Sequence, residues 1–198
     1  MERAEEIIRY WFGDLEPSTP EKGRFGLWFG KDEKTDREIR ERFLADVERA
    51  GHNELDQWMA SPRTLIALVV LLDQFPRNIF RGQARAFAFD KKAREVAKTG
   101  LARGYDRELP RFARMFLYLP LMHSENLADQ DQTLALYKKL IADAPENLKQ
   151  ELAGANNYAQ RHREIIARFG RFPHRNQALG RESTPQEIEF LKEPMSSF

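Results

Sequence analysis

The sequence predicts an all-α protein, and three observations carry that prediction. Apolar residues recur at three- and four-residue steps in segment after segment, the spacing that places them on one face of a helix. Helix punctuation brackets the segments, with Ser61-Pro62, Pro145-Glu146 and Thr184-Pro185 at starts and Gly13, Gly51 and Gly104 at ends. No stretch alternates apolar and polar residues over five or more positions, and neither Asn-Gly nor Asp-Gly occurs, so strands and tight hairpins lack support. The 198 residues fit a single all-α domain, residues 1–198, of about seven or eight helices around a sizeable core.

Taken in order, residues 4–12 form a short amphipathic helix carrying Ile7, Ile8, Trp11 and Phe12, closed by Gly13. Residues 14–30 read as a loop, with two prolines and an aromatic cluster at Phe25, Trp28 and Phe29 that should pack onto the body. From Asp32 or Asp36 to Ala50, Ile39, Phe43 and Val47 make one buried stripe on a charged helix that Gly51 stops. Ser61 can accept from an orphan N–H and Pro62 suits a first turn, so a helix starts there and runs to about Asp73. Its stretch from Leu65 to Leu72 is apolar all round and should be covered on every side. Pro76 disfavours helical geometry at Phe75 and should end it.

A further helix spans residues 84–103 before Gly104, and another runs from Pro110 to about Tyr118 before Pro120 breaks it. Ser124 reads as the N-cap of the next helix, with Glu125 in its first turn and Leu134, Tyr137, Leu140 and Ile141 as its buried stripe. A long helix from Pro145-Glu146 to Phe169 carries Tyr158, His162, Ile165, Ile166 and Phe169 on one face. Thr184-Pro185-Gln186-Glu187 is a capping box opening a last helix with Ile188, Phe190 and Leu191, which stops before Pro194.

Composition narrows the function. A net charge of +1 from 32 basic and 31 acidic residues produces no whole-molecule field toward nucleic acid or anionic membrane, so a basic site must be local. The absence of cysteine excludes disulfides, thiol catalysis and Cys-ligated zinc. The N-terminus is acidic where a signal peptide needs a basic start, and the longest apolar run is far short of the roughly 20 residues that span a bilayer. A cytoplasmic protein is expected, with no nucleic-acid or membrane partner. Phosphate-loop, dinucleotide-binding, nucleophile-elbow and zinc-protease motifs are all missing, and no cofactor is expected.

Two constellations could carry chemistry. The stretch Phe75-Pro76-Arg77-Asn78-Ile79-Phe80-Arg81-Gly82 has an echo about 100 residues on, roughly three 34-residue helical hairpins away, in Phe172-Pro173-His174-Arg175-Asn176. Between residues 161 and 181 stand six arginines, no lysine and one acid, Glu164. Arginine without lysine suits planar, bidentate contact with phosphate or carboxylate; the competing reading is internal pairing with Asp73, Glu125 or Asp129 and capping of helix ends. His123, His162 and His174 with Glu125 could hold a metal only if they converged, and their spacing matches no metal motif, so none is expected. Asp73 with Gln74 could act as base and orienter, although such a pair more often caps the turn below it.

Tyr10-Trp11-Phe12-Gly13, Leu71-Leu72-Asp73-Gln74-Phe75-Pro76-Arg77-Asn78, Tyr118-Leu119-Pro120-Leu121-Met122-His123-Ser124-Glu125, His162-Arg163 and Phe169-Gly170-Arg171-Phe172-Pro173-His174-Arg175-Asn176 together resemble a bacterial family of unknown function, DUF924, over nearly the whole chain. The resemblance implies an array of antiparallel helix pairs similar to tetratricopeptide-repeat proteins, and no assigned activity. The expectation is a polar cleft in which Arg77, Asn78, Arg81, Ser124, Glu125, His162, Arg163, Arg175 and Asn176 bind a small anionic ligand or an acidic peptide terminus. One alternative is a metal-assisted or acid–base hydrolase in that pocket, with Asp73, His123 or His174 catalytic; the other is a helical interaction module with a structural cluster only. Sequence leaves open whether the protein is an enzyme, and its oligomeric state.

Overall fold

The computed structural model describes residues 2–15 and 23–197. Among those residues the regular structure is entirely helical, without a strand: α1 (Glu2–Phe12), α2 (Phe25–Phe29), α3 (Glu33–Gly51), α4 (Pro62–Val69), α5 (Phe75–Ile79), α6 (Asp90–Ala102), α7 (Arg111–Met122), α8 (Leu127–Ala142), α9 (Glu146–Phe169) and α10 (Pro185–Phe190). The all-α expectation holds. The chain divides into two compact units, residues 1–81 with 85–120, and residues 82–84 with 121–198.

In the first unit, the run from Leu65 to Leu72 is fully buried, as an all-round apolar helix requires. Phe75 stacks on Phe43 of α3 at 4.8 Å and meets the edge of Trp11 of α1 at 5.5 Å; Trp11 in turn meets Phe116 of α7 at 5.6 Å. Gly100 lets α6 approach closely, since a Cβ there would come within 3.1 Å of Leu65.

Pro76 does not end the helix. Residues Val70–Gln74 widen into a π-turn in which the Phe75 N–H reaches back five residues to the Val70 carbonyl. The chain re-enters α-geometry at Phe75 with Pro76 in a first turn, where its missing N–H breaks no bond. Pro120 likewise stays inside α7, because the residues around it, Leu117, Leu119 and Leu121, are all buried and their packing outweighs one lost hydrogen bond.

Other departures have local causes. The expected loop 14–30 contains α2, whose Trp28 indole donates to the Trp11 carbonyl at 2.9 Å; residues 16–22 of that loop lie outside the described residues. Gly51 is the last residue of α3, and the left-handed conformation falls on Asn53, at φ 68°. The expected helix 84–103 divides into a 3₁₀ turn, Ala84–Phe87, and α6, closed as expected near Gly104.

In the second unit, α8 and α9 are joined by a three-residue link, as antiparallel neighbours are. Ile165, Ile166, Phe172 and Phe190 form its core with Phe169 alongside. Tyr158 and Ile188, expected inside, are half-exposed at 50% and 49%. The capping box at Thr184 forms as the sequence predicts. No helix among the described residues is long and apolar enough to cross a membrane.

Candidate functional site

The first Phe-Pro turn lies in the first unit, and its polar side chains are engaged by that unit's own carboxylates. Asp73, within the π-turn, is 1% exposed; Gln74 Nε2 donates to it at 2.5 Å, and Arg77 stands 3.5 Å from its other oxygen. Arg77 forks onto Asp90 of α6 at 2.9 and 3.0 Å, and also donates to the Asp73 carbonyl at 2.5 Å. Burial opposes its charge, but Asp73 and Asp90 outweigh burial and raise its pKa above the ordinary arginine value. Asn78 donates to Asp36 of α3 at 2.8 Å, and Arg81 forks onto the same carboxylate at 2.7 Å on both arms. Arg77, Asn78 and Arg81, expected at an anion, thus tie α5 to α3 and α6.

The second turn builds a different structure. Gly170, at φ 69°, ends α9 in the left-handed region, and the chain turns back through Phe172 into a 3₁₀ turn, Pro173–Arg175. Glu125 receives the Phe172 N–H at 2.8 Å and both arms of Arg181 at 2.8 and 2.9 Å. Burial works against its charge, yet Arg181 and that N–H leave its pKa lowered. Arg171 forks onto Glu187 at 2.7 and 2.8 Å, and Asn176 Nδ2 donates to Ser183 at 3.0 Å and Glu187 at 3.3 Å. Arg163 pairs with Asp131 at 2.5 Å.

A further cluster surrounds the buried Phe172 ring. His162 meets its edge at 5.4 Å, His174 is 5.6 Å away, and the Arg175 guanidinium lies 4.5 Å over the ring. His123 sits 6.1 Å from His162, ring to ring. Arg175 and His162 are buried, at 6% and 4% exposure, whereas His123 and His174 are partly exposed. The His162 Nδ1 lies 2.7 Å from the Tyr158 carbonyl; a carbonyl only accepts, so that nitrogen carries the hydrogen and Nε2 is the acceptor. Burial, then the positive field of His123, Arg175 and His174, holds the His162 pKa well below 6.5, so the ring is neutral at pH 7.

Ser124 is not the cap of α8. Asn126 is, accepting from the Ala128 and Asp129 N–H groups, while the Ser124 hydroxyl donates to the buried Asp129 at 2.6 Å. That proton goes to a carboxylate rather than an imidazole, so no nucleophile–histidine pair forms here. Gln130, unremarked in the sequence, donates to the Met122 and Ser124 carbonyls at 2.7 and 2.6 Å and fixes the turn carrying His123. Among the described residues no three His, Asp or Glu side chains are grouped to hold a metal, and Glu125 is committed to Arg181 and Phe172.

The class that emerges is an all-helical protein whose second unit gathers imidazoles and an arginine around one aromatic ring. A model of the family described as bacterial protein of unknown function (DUF924) matches residues 7–195, and the chain belongs to that family. The chain is similar to the solved structure of a protein of unknown function from Agrobacterium tumefaciens, with 37% identity, 98% of each chain covered and a TM-score of 0.81. No curated protein matches the sequence.

Proposed function

We propose that the second unit binds a small anionic ligand at the cluster of His123, His162, His174 and Arg175. The observation that carries this reading is the concentration of positive potential: Arg175, His123 and His174 all act on His162, and the nearby acid, Glu125, is held by Arg181. Arg175 supplies a planar fork at low exposure, where a charge-assisted bond to an oxyanion is strongest. Two partly exposed imidazoles, His123 and His174, belong to the same cluster through His162 and Phe172. Arg77, Asn78 and Arg81 serve their own unit, and Arg163 serves Asp131, so these four are not assigned to the anion.

Thermal denaturation with inorganic phosphate, sulfate, nucleotides and small carboxylates tests the reading. An anion present at ten times its Kd should stabilise by about 1.4 kcal/mol and raise Tm by about 3–6 °C, and Arg175→Met should abolish the shift. A flat response to every anion in the native protein would reject the site.

A further inference from the structure

The register of α1 sorts its residues onto two faces. Ala4, Ile7, Ile8 and Trp11 are buried in the first unit, and the same three- and four-residue steps set Glu2, Glu5, Glu6 and Arg9 on the outward side. That side lines a groove of about 880 Å³, completed by Tyr10, by Arg42 of α3 and by Arg24 just before α2. Ligand sites commonly occupy roughly 300–1,000 Å³. The charge of this groove has a direction. Glu2, Glu5 and Glu6 stand on the first turns of α1, whereas Arg9 and Arg24 belong to its last turn and the Arg42 guanidinium lies 4.6 Å over the Tyr10 ring. We propose that the groove binds a short zwitterionic peptide of about three residues, with its α-amino group at Glu2 and its carboxylate between Arg9 and Arg24. This site lies in the first unit and is independent of the anion reading above.

Pairing within the groove leaves those three side chains for a ligand. Glu5 receives a fork from Arg63 at 2.5 and 2.8 Å. Glu6 receives Arg3 and, at 3.2 Å, Arg42; Arg3 is also held by Asp46 at 2.6 Å, and Arg42 by Glu38 at 2.8 Å. Glu2 and Arg9 form no ion pair among the described residues, and Arg9 acts on Glu5 only through its field. Arg24 is fixed by the Tyr10 and Trp11 carbonyls through Nη1 alone, so its Nη2 and Nε hydrogens are left for a carboxylate. Seven residues separate Glu2 from Arg9, about 10 Å along a helix axis. An extended peptide covers about 3.3–3.6 Å per residue, so three residues join the two charges. A simple anion would suit the basic end and meet the carboxylates at the other; a simple amine would do the reverse. Only a molecule carrying both charges complements both ends.

Isothermal titration calorimetry of the whole chain with trialanine, at pH 7 and low salt, tests the proposal. N-acetyl-trialanine and trialanine amide each remove one ligand charge, and dialanine shortens the span. Trialanine should bind, both blocked forms should bind at least tenfold more weakly, and dialanine should fall below trialanine. Sodium chloride at about 0.5 M should weaken trialanine binding several-fold. Glu2→Gln should lower the affinity for trialanine and leave that for the acetylated form unchanged; Arg9→Gln should do the same with respect to the amide, because each substitution removes a group whose ligand partner is already gone. Both side chains are exposed, and an unchanged circular dichroism spectrum confirms that each variant is folded. Blocked forms that bind as tightly as trialanine would overturn the pairing of charges. A loss confined to the amide would overturn the amine end, and a loss confined to the acetylated form the carboxylate end. No heat from trialanine at about 10 mM would reject the groove as a peptide site.

Discussion

Glu187 shows how far one side chain's work exceeds the motif that announces it. The capping box at Thr184 is local and was legible, because its two partners sit three residues apart. The same carboxylate also receives Arg171 and Asn176, contacts fixed only when the chain folds back after Phe172. Arg171 foremost, against the opposing effect of burial, pulls its pKa from 4.5 to about 2. A depressed carboxylate contributes stability that is present above about pH 4.5 and is lost as pH falls toward 2. Glu187→Gln should therefore cost about 2–3 kcal/mol at neutral pH, the expected loss for a mostly buried ion pair that also caps a helix. Urea unfolding at pH 7 and pH 3 checks it, and the gap between variant and native protein should narrow at the lower pH. A gap that is unchanged at pH 3 would mean that the charge of Glu187 is not what stabilises the segment.

Among elements, the rod from α4 through the π-turn into α5 separates what a pattern reveals from what packing decides. Eight apolar residues in a row announced a central helix, and the structure buries all of them. The same pattern gave no sign that Pro76 would be absorbed by one wide turn, because a proline usually terminates a helix and only the surrounding core keeps this one going. Ser124 and Asn126 repeat the lesson: both residue types cap helices, and Asn126, three residues before Asp129, wins because Ser124 is drawn to the buried Asp129 carboxylate. The Phe-Pro echo was visible in the sequence, and so were Asp73 and Glu125 as internal partners of Arg77 and Arg181, but the partners Asp36 and Asp90 of the first copy were not, since they lie on other helices. The π-turn depends on one of those partners. Arg77→Ala takes the guanidinium from Asp90 and from the buried Asp73, and removes the donor to the Asp73 carbonyl. A loss of roughly 3 kcal/mol is expected, seen as a lower urea midpoint and faster amide exchange over residues 70–80, with anion-induced stabilisation retained. If Arg77→Ala instead abolished the anion response at unchanged stability, the binding site would have to include the first turn.

For the whole molecule, the pH profile of stability follows from the signs of shifts spread over both units. Glu5, through Arg63, Glu6, through Arg3, and Asp32, through Thr35, all titrate below their ordinary range, as do Glu125 and Glu187. His162, chiefly through burial, titrates well below 6.5. In each case the folded chain binds fewer protons than the unfolded chain across the window between the two values, so stability rises with pH there. Arg3, Arg42, Arg77, Arg81 and Arg171 are raised above the ordinary arginine value and contribute no slope at ordinary pH. The expected curve has two limbs: a loss beginning below about pH 6.5 as the unfolded chain protonates His162, and a steeper one below about pH 4.5 as the paired carboxylates are titrated. Loss of those negative charges also unmasks 32 basic residues, which adds self-repulsion to the acid limb. Urea midpoints from pH 3 to 9 should rise to a plateau near pH 7 and stay flat above it. His162→Gln should remove the upper limb and leave the lower one, whereas a stability maximum near pH 5 in the native protein would mean that His162 carries its proton inside the fold, and that the field around Phe172 is not positive.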